Sequence, residues 1–494
     1  LSGSNKTEAS ATAATHSATI GMMHLPFILP EHLLPLLSAA WVCYLVILAV
    51  WIVIQQREPV ATLSWLLVLA ALPYVGFLIY YAFGPQRIRR QVRRRLRSQT
   101  AVGKPERGEA VSVGLALGRV GTATTGYPMT TSTRVDLIVD GAAAYDAIVT
   151  AISAARQHVH LEYYIFAADR SGTRIRDALI ERARAGVRVR LLLDGVGSRM
   201  LTGGFFKPLR EAGAELAHFH PVRWWLTPFL RPKLNMRSHR KLVICDGLVG
   251  FTGGINVTDD ENDRLNPSAY HDLHFRVEGD SVRWLQVAWL EDWHYATNQT
   301  LADSEVFAPG AKGSICTQVV PSGPDNPWEP IHRLHVEAIH RAEQRVWLAT
   351  PYFVPSQAAL FALGGAAMRG VDVRLLLPAR SDSRLADASA RSYFQRLQRS
   401  GVKVHLYGPR MLHSKALLAD DSLAVIGSAN FDSRSFRLNF ELSVLFYDKG
   451  VAADLERVFT NDFAVAREVP NPSPKSSFSQ RLTEGIARLF SPIL

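Results

Sequence analysis

The chain has 494 residues, 48% of them hydrophobic and 20% charged, which excludes disorder over the whole length and leaves room for about three ordinary domains. Lysine and arginine outnumber aspartate and glutamate by 55 to 44, a net charge of +11, and that balance points to an anionic partner: nucleic acid, an acidic membrane surface or a phosphorylated substrate. Three cysteines without a CxxC pair argue against a disulfide scaffold or a thiolate zinc site.

Residues 1–32 are predicted to be a flexible leader, and the Ser-, Thr- and Ala-rich part up to about residue 21 has the look of an expression scar, with a native start at Met22 or Met23. Two uncharged runs follow, 22 residues at 33–54 and 21 residues at 63–83. At ~1.5 Å per residue each reaches ~30 Å as a helix, the thickness of a bilayer's hydrocarbon core. The short connector makes them a predicted transmembrane hairpin with both ends on one side. The segment 84–133 reads as a basic juxtamembrane linker, opening with Arg87, Arg89, Arg90, Arg93, Arg94, Arg95 and Arg97 and no acid among them. By the positive-inside rule this flank is cytoplasmic and faces anionic headgroups. No nucleic-acid role is expected for it.

From Arg134 onward apolar strand-like runs alternate with helical patterns, an α/β signature. AGVRVRLLLDG (Ala185 to Gly195) matches RGVDVRLLLPA (Arg369 to Ala379), and HVHLEYYIF (His158 to Phe166) matches RVWLATPYFV (Arg345 to Val354). Two tandem repeats, 134–300 and 315–475, are the economical explanation, with the boundary in the polar stretch Asn298 to Ser314. The tail 476–494 is predicted as an amphipathic helix through Leu482, Ile486, Leu489 and Phe490 that lies on the membrane or packs on the preceding domain, with packing the slightly favoured reading.

Each repeat carries His-x-Lys-x4-Asp-x6-Gly-small-x-Asn. The first copy is His239, Lys241, Asp246, Gly253, Gly254 and Asn256; the second is His413, Lys415, Asp420, Gly427, Ser428 and Asn430, at a constant offset of 174. Such a string arises by chance on the order of once in ten million start positions. Alternation along a strand puts each histidine and its lysine on one face. Asp246-Gly247 is a hairpin signal, so the aspartate is placed to hold the turn, and the returning strand brings the asparagine back towards the histidine. Two histidines, two lysines and two asparagines that converge about a pseudo-twofold axis suit phosphoryl chemistry: one imidazole attacks phosphorus, the other protonates the leaving oxygen, and lysines and amides hold the non-bridging oxygens.

The double motif resembles the phospholipase D superfamily, and the whole arrangement is similar to bacterial cardiolipin synthases from about Leu33 to Leu494, including REPVATLSWLLV, PYVGFLIYYAFG, SHRKLVICDG and GSANFDSRSFRLNFELS. The resemblance implies two phospholipase D-like α-β-α repeats behind the hairpin. It further implies a multi-pass protein of the bacterial plasma membrane, with its catalytic part cytoplasmic. The implied activity is phosphatidyl transfer between two phosphatidylglycerol molecules, giving cardiolipin and glycerol without a cofactor or metal. His239 is then the nucleophile and His413 the proton shuttle. Lys241, Asp246, Lys415 and Asp420 complete the two motifs, and Asn256, Ser428 and Asn430 support the phosphates. An acidic residue further along each repeat, Asp272 and Glu441, orients the histidine through its other ring nitrogen. Gly254 stands where the second copy has Ser428, so the first half is expected to lack one hydroxyl contact. A phospholipase D, a transferase using another lipid donor or alcohol, a tethered nuclease and a lipid-binding scaffold remain as rivals. Trp224, Trp225 and Phe229, interleaved with Arg231, Lys233 and Arg237, read equally as an interfacial loop or a core edge. His332, His335 and His340 are expected to be packing or surface residues.

Overall fold

Central strands of both repeats include apolar runs such as LVIC (Leu242–Cys245) and ALLA (Ala416–Ala419), buried along their whole length, as strands covered on both faces must be. The computed structural model describes residues 33–54, 59–72, 75–77, 80, 89–102, 116–198, 204–221, 236–301, 306–471 and 477–489. It divides into two compact units, 1–85 and 86–494.

In the first unit, helix Leu33–Ile54 runs for 22 uncharged residues, and Val46, Ile47, Val53 and Ile54 on it are exposed. The second apolar run differs from the single helix expected over 63–83. Its helix is Pro59–Ala71, 13 residues, and ends two residues short of Pro73, which has no N–H to donate and disfavours helix in the residue before it. Among the described residues no helix is long and apolar enough to cross a membrane.

Among the described residues the second unit holds two large sheets and a two-stranded one. The first has seven strands: β2 (Arg134–Val139), β3 (His158–Tyr163), β4 (Arg188–Asp194), β5 (Glu215–Phe219), β6 (Leu242–Cys245), β7 (Val249–Gly253) and β8 (Leu273–Glu278), in the order β2-β8-β7-β6-β3-β4-β5. The second uses β9 (Ile315–Ser322), β10 (Arg345–Ala349), β12 (Asp372–Pro378), β13 (Lys403–Tyr407), β14 (Ala416–Ala419), β15 (Leu423–Gly427) and β17 (Glu441–Tyr447) in the corresponding order β9-β17-β15-β14-β10-β12-β13. β1 (Thr130–Ser132) and β18 (Ala466–Glu468) extend its two edges, while β11 (Phe353–Val354) and β16 (Phe431–Asp432) pair separately. The repeat read from the sequence is therefore a repeat of topology. In both sheets three neighbouring strands run parallel, joined by helical crossovers, and the rest are antiparallel.

Alternation splits each strand between two layers. Val243 and Cys245 face an outer core under helices Gly141–Ala154 and Arg170–Arg184, while Leu242 and Ile244 join a central core that also takes Leu418, Ile426, Leu442 and Phe446 from the second sheet. Helix Asp280–Thr297 supplies Trp289 and Trp293 to this shared core. The repeats are thus halves of one folded body.

The stretch read as a basic linker is built into that body. β1 pairs with β9, Thr130 against Thr317. Gln318 Nε2 donates to the carbonyls of Gly118 (3.0 Å) and Tyr127 (3.2 Å). Helix Arg89–Ala101 lies against helix Asp280–Thr297, and Arg95, expected among headgroup-facing arginines, is 2% exposed. Its guanidinium makes ion pairs with Asp292 at 2.5 Å, Glu291 at 3.4 Å and Asp325 at 3.6 Å, because carboxylates stripped of water by burial need a cation beside them. Helix Phe478–Leu489 packs on helix Arg384–Arg399 through the buried Ala487 but leaves Leu482, Ile486 and Leu489 exposed.

Candidate active site

His239 and His413 each stand just before the strand that carries the rest of their motif, β6 and β14. Each is held there by a short parallel bridge to the other repeat, Ser238 to Phe440 and His271 to Leu412. The His239 N–H donates to Phe440 O at 2.8 Å, and the His413 N–H donates to His271 O at 2.7 Å. The two bridges repeat each other with the halves exchanged, as a twofold relation requires.

The exchange decides which carboxylate meets which imidazole. Glu441, next to Phe440, lies with Oε2 3.0 Å from His239 Nδ1; Asp272, next to His271, lies with Oδ2 2.6 Å from His413 Nδ1. Orientation within a repeat is therefore corrected: each histidine is oriented by the opposite repeat. With Nδ1 engaged, Nε2 is the nitrogen left for chemistry, and both rings line one cavity of about 550 Å³.

The lysines sit beneath. Lys241 Nζ donates to His239 O at 2.7 Å; Lys415 Nζ donates to His413 O and lies 3.3 Å from Asp272 Oδ2. Burial and then the Lys415 charge pull Lys241 down to about 7, and burial also lowers Lys415. Burial lowers His239 below the ordinary imidazole value against the pull of Glu441. Burial and Lys415 push His413 well below it. Burial would raise Glu441, but His239 and Lys241 outweigh it and keep the carboxyl low, whereas Asp272 is raised by burial. The result is two imidazoles of lowered proton affinity over a floor of crowded ammonium groups; a bound phosphodiester anion relieves the cation repulsion and favours the protonated imidazole that a general acid needs.

The motif aspartates are elsewhere. Asp246 and Asp420 adopt left-handed backbone (φ 56° and 53°) at the hairpin turns. Asp246 accepts from the N–H groups of Gln157 (2.7 Å) and His158 (2.9 Å). Asp420 accepts from those of Gln344 (2.8 Å) and Arg345 (3.1 Å). Grouped with the catalytic motif from sequence, they instead pin the starts of β3 and β10. Ser428 also departs from its expected role on phosphate: its hydroxyl donates to Glu441 Oε2 at 2.5 Å and is fully buried. Gly254 has the matching place beside Asp272, where a Cβ would lie 2.1 Å from Oδ1. The missing hydroxyl of the first half thus reflects the close approach of a shorter carboxylate. Asn256 and Asn430 do line the cavity; Asn256 Nδ2 donates to Glu261 Oε1 at 2.7 Å.

Glu261, Asp272 and His413 bring one donor atom each within 4.8 Å of one another. They make a conceivable cation site, but the Lys415 ammonium, 3.3 Å from Asp272, already brings a positive charge to it. Sequence reasoning missed Glu261, whose counterpart at the 174-residue offset is Ser435, so repeat matching gives no carboxylate signal; both side chains receive the N–H of the motif asparagine. It also missed Tyr164, Tyr270 and Arg434 on the cavity wall. Trp224, Trp225, Phe229, Arg231 and Lys233 lie outside the described residues, while Arg237 is buried 3.4 Å from Asp194. His332 and His335 are packing residues: His332 bridges Glu329 and Ser356, and His335 holds Ile331 O.

The family model described as "Cardiolipin synthase, PLD-like domain" matches residues 148–268 and 335–463. The cardiolipin synthase of Alkalihalophilus pseudofirmus is 37% identical over 93% of this chain and 94% of its own. The chain belongs to the cardiolipin synthase family. Cardiolipin synthase 1 of Bacillus anthracis is 36% identical over 95% of this chain and 97% of its own. The model "Phospholipase_D-nuclease N-terminal" matches residues 45–85. Among solved structures, phosphatidylserine synthase of Haemophilus influenzae shares the fold, with TM-score 0.59 at 13% identity over 76% of this chain and 100% of that one. The chain is accordingly a phosphatidyltransferase of the phospholipase D superfamily.

Proposed function

We propose that the enzyme transfers a phosphatidyl group from one phosphatidylglycerol to the glycerol hydroxyl of a second, making cardiolipin and glycerol through a phosphatidyl-His239 intermediate. The observation that carries this reading is the pair of imidazoles, each clamped at Nδ1 by the other repeat's carboxylate, facing a single cavity. His239 Nε2 attacks phosphorus, the bond from phosphorus to the glycerol oxygen breaks, and protonated His413 gives that oxygen its proton. The second lipid's hydroxyl then gives His413 its proton and attacks phosphorus, breaking the phosphorus–nitrogen bond. Lys241, Lys415, Asn256 and Asn430 hold the non-bridging oxygens.

Membrane anchoring belongs to the same proposal. Its support is the uncharged helix Leu33–Ile54 with exposed apolar side chains, the match of 45–85 to the N-terminal family model and the arginine-rich flank, which by the positive-inside rule favours a catalytic unit on the cytoplasmic face of the bacterial plasma membrane. Arg95 takes no part in any headgroup contact.

Purified enzyme given phosphatidylglycerol alone is expected to yield cardiolipin and glycerol by mass spectrometry, and His239→Ala to yield neither. Phosphatidic acid as sole lipid product, or cleavage of labelled DNA in place of lipid turnover, overturns the reading.

A further inference from the structure

Along the extended segment His239-Arg240-Lys241, alternation that points the histidine and lysine into the site points Arg240 to the opposite side, toward helix Asp280–Thr297. There Arg240 is 1% exposed, pairs through Nη1 with Asp292 Oδ2, and donates from Nε to Glu441 O at 3.1 Å. The other oxygen of Asp292 lies 2.5 Å from Arg95 Nη1. Arg95 also reaches Asp325 at 3.6 Å, and its guanidinium sits over the ring of Phe440, 5.6 Å from the centroid. Phe440 is the residue whose carbonyl receives the His239 N–H. Two routes from Arg95, one through Asp292 and Arg240 and one through Phe440, therefore end on the backbone that carries His239 and Glu441. The hydrogen bonds of His413 and Asp272 run instead to the His271 carbonyl, the Leu273 N–H, Lys415 and each other.

We propose that Arg95 is a positioning residue for the nucleophile: its guanidinium, delivered by the helix that follows the N-terminal apolar pair, fixes the His239–Glu441 geometry and leaves the His413–Asp272 pair to other supports. Arginine suits the task because its planar fork can hold Asp292 while its face covers Phe440, which an ammonium cannot do together. Removing it leaves Asp292, Glu291 and Asp325 as buried carboxylates short of a cation, and Arg240 then turns toward the Asp292 oxygen that Arg95 held, away from the Glu441 carbonyl. The proposal rests on the transfer reaction above for its turnover assay only.

The test uses the full chain as wild type, Arg95→Met and Arg95→Lys. Turnover is measured on phosphatidylglycerol in mixed micelles, and the pH dependence of diethylpyrocarbonate labelling at His239 and His413 is followed by peptide mass spectrometry. Arg95→Met is expected to lower kcat about tenfold or more with KM within about twofold. The midpoint of His239 labelling should move to lower pH by about 0.5 unit or more as Glu441 loses its hold, while that of His413 stays. Arg95→Lys is expected to fall between. Unchanged kcat and unchanged His239 midpoint overturn the proposal, as do midpoints of both histidines moving together, which is general loosening. If Arg95→Met does not fold, Arg95→Lys decides, and wild-type values there overturn it. Should wild type make no cardiolipin, the reaction assignment fails while the labelling midpoints still judge Arg95.

Discussion

Glu441 Oε2 stands 3.0 Å from His239 Nδ1, although 202 residues separate them in the chain. The carboxylate fixes the tautomer that presents Nε2 and stabilises the imidazole's developing positive charge, so its removal strikes the reaction more than binding. Glu441→Gln is expected to lower kcat about a hundred- to ten-thousandfold with KM little changed. Asp272→Asn should do the same through His413. Steady-state kinetics on folded variants checks both, and an effect confined to KM contradicts the orienting role.

The rate should fall as pH rises. With Lys241 at about 7, its ammonium is present below that pH and lost above it, and with it part of the stabilisation of the phosphoryl oxygens. The alkaline limb of kcat/KM is expected near pH 7, and that of kcat at higher pH, because a bound phosphodiester anion favours the charged lysine. Lys241→Arg should remove the lysine's share of that limb, since guanidinium does not titrate there, and leave the share set by protonation of His413.

His271 ties the repeats together by charge. Its Nδ1 lies 2.8 Å from Asp140 and its Nε2 2.8 Å from Asp462. Burial alone would lower it, but the two carboxylates raise it to about 9. A folded-state value above the unfolded ~6.5 contributes stability that is full below pH ~6.5 and lost as pH climbs through about 9, up to about 3 kcal/mol. Denaturant melts at pH 6 and 9.5 should show the loss in wild type and a flatter response in His271→Asn.

Gly254 is required by contact rather than by backbone freedom. Gly254→Ala places a methyl 2.1 Å from Asp272 Oδ1, and the carboxylate has to swing away from His413. The expected result is a destabilisation of about 1–3 kcal/mol and a fall in kcat beyond what Ser428→Gly causes, since that change only removes a hydroxyl from Glu441. Equal kcat in wild type and Gly254→Ala contradicts it.

What the sequence made legible was local. Alternation placed His239 with Lys241, and the Asp-Gly turn explained Asp246, because both depend on a few neighbouring residues. The repeat, visible as matched strings, returned as matched strand order. What stayed hidden depends on pairing across the molecule: nothing in the sequence says that 238 meets 440 or that 271 meets 412, and so the exchange of carboxylates was unreadable. Arg95 looked like one of seven equal charges because charge counting is blind to burial. Pro73 was visible in the second apolar run, yet run length alone outweighed it.

The edge strand Thr130–Ser132 finds its neighbour only when residue 315 has been made; Ser132 Oγ and Thr317 Oγ1 meet at 2.8 Å across 185 residues. During synthesis the ribosome delivers the first half with this edge unmatched and the central apolar cluster half assembled, a state prone to aggregate. A product cut short before residue 315 is thus no smaller enzyme but an unfinished interior, its central cluster missing the side chains of the second sheet.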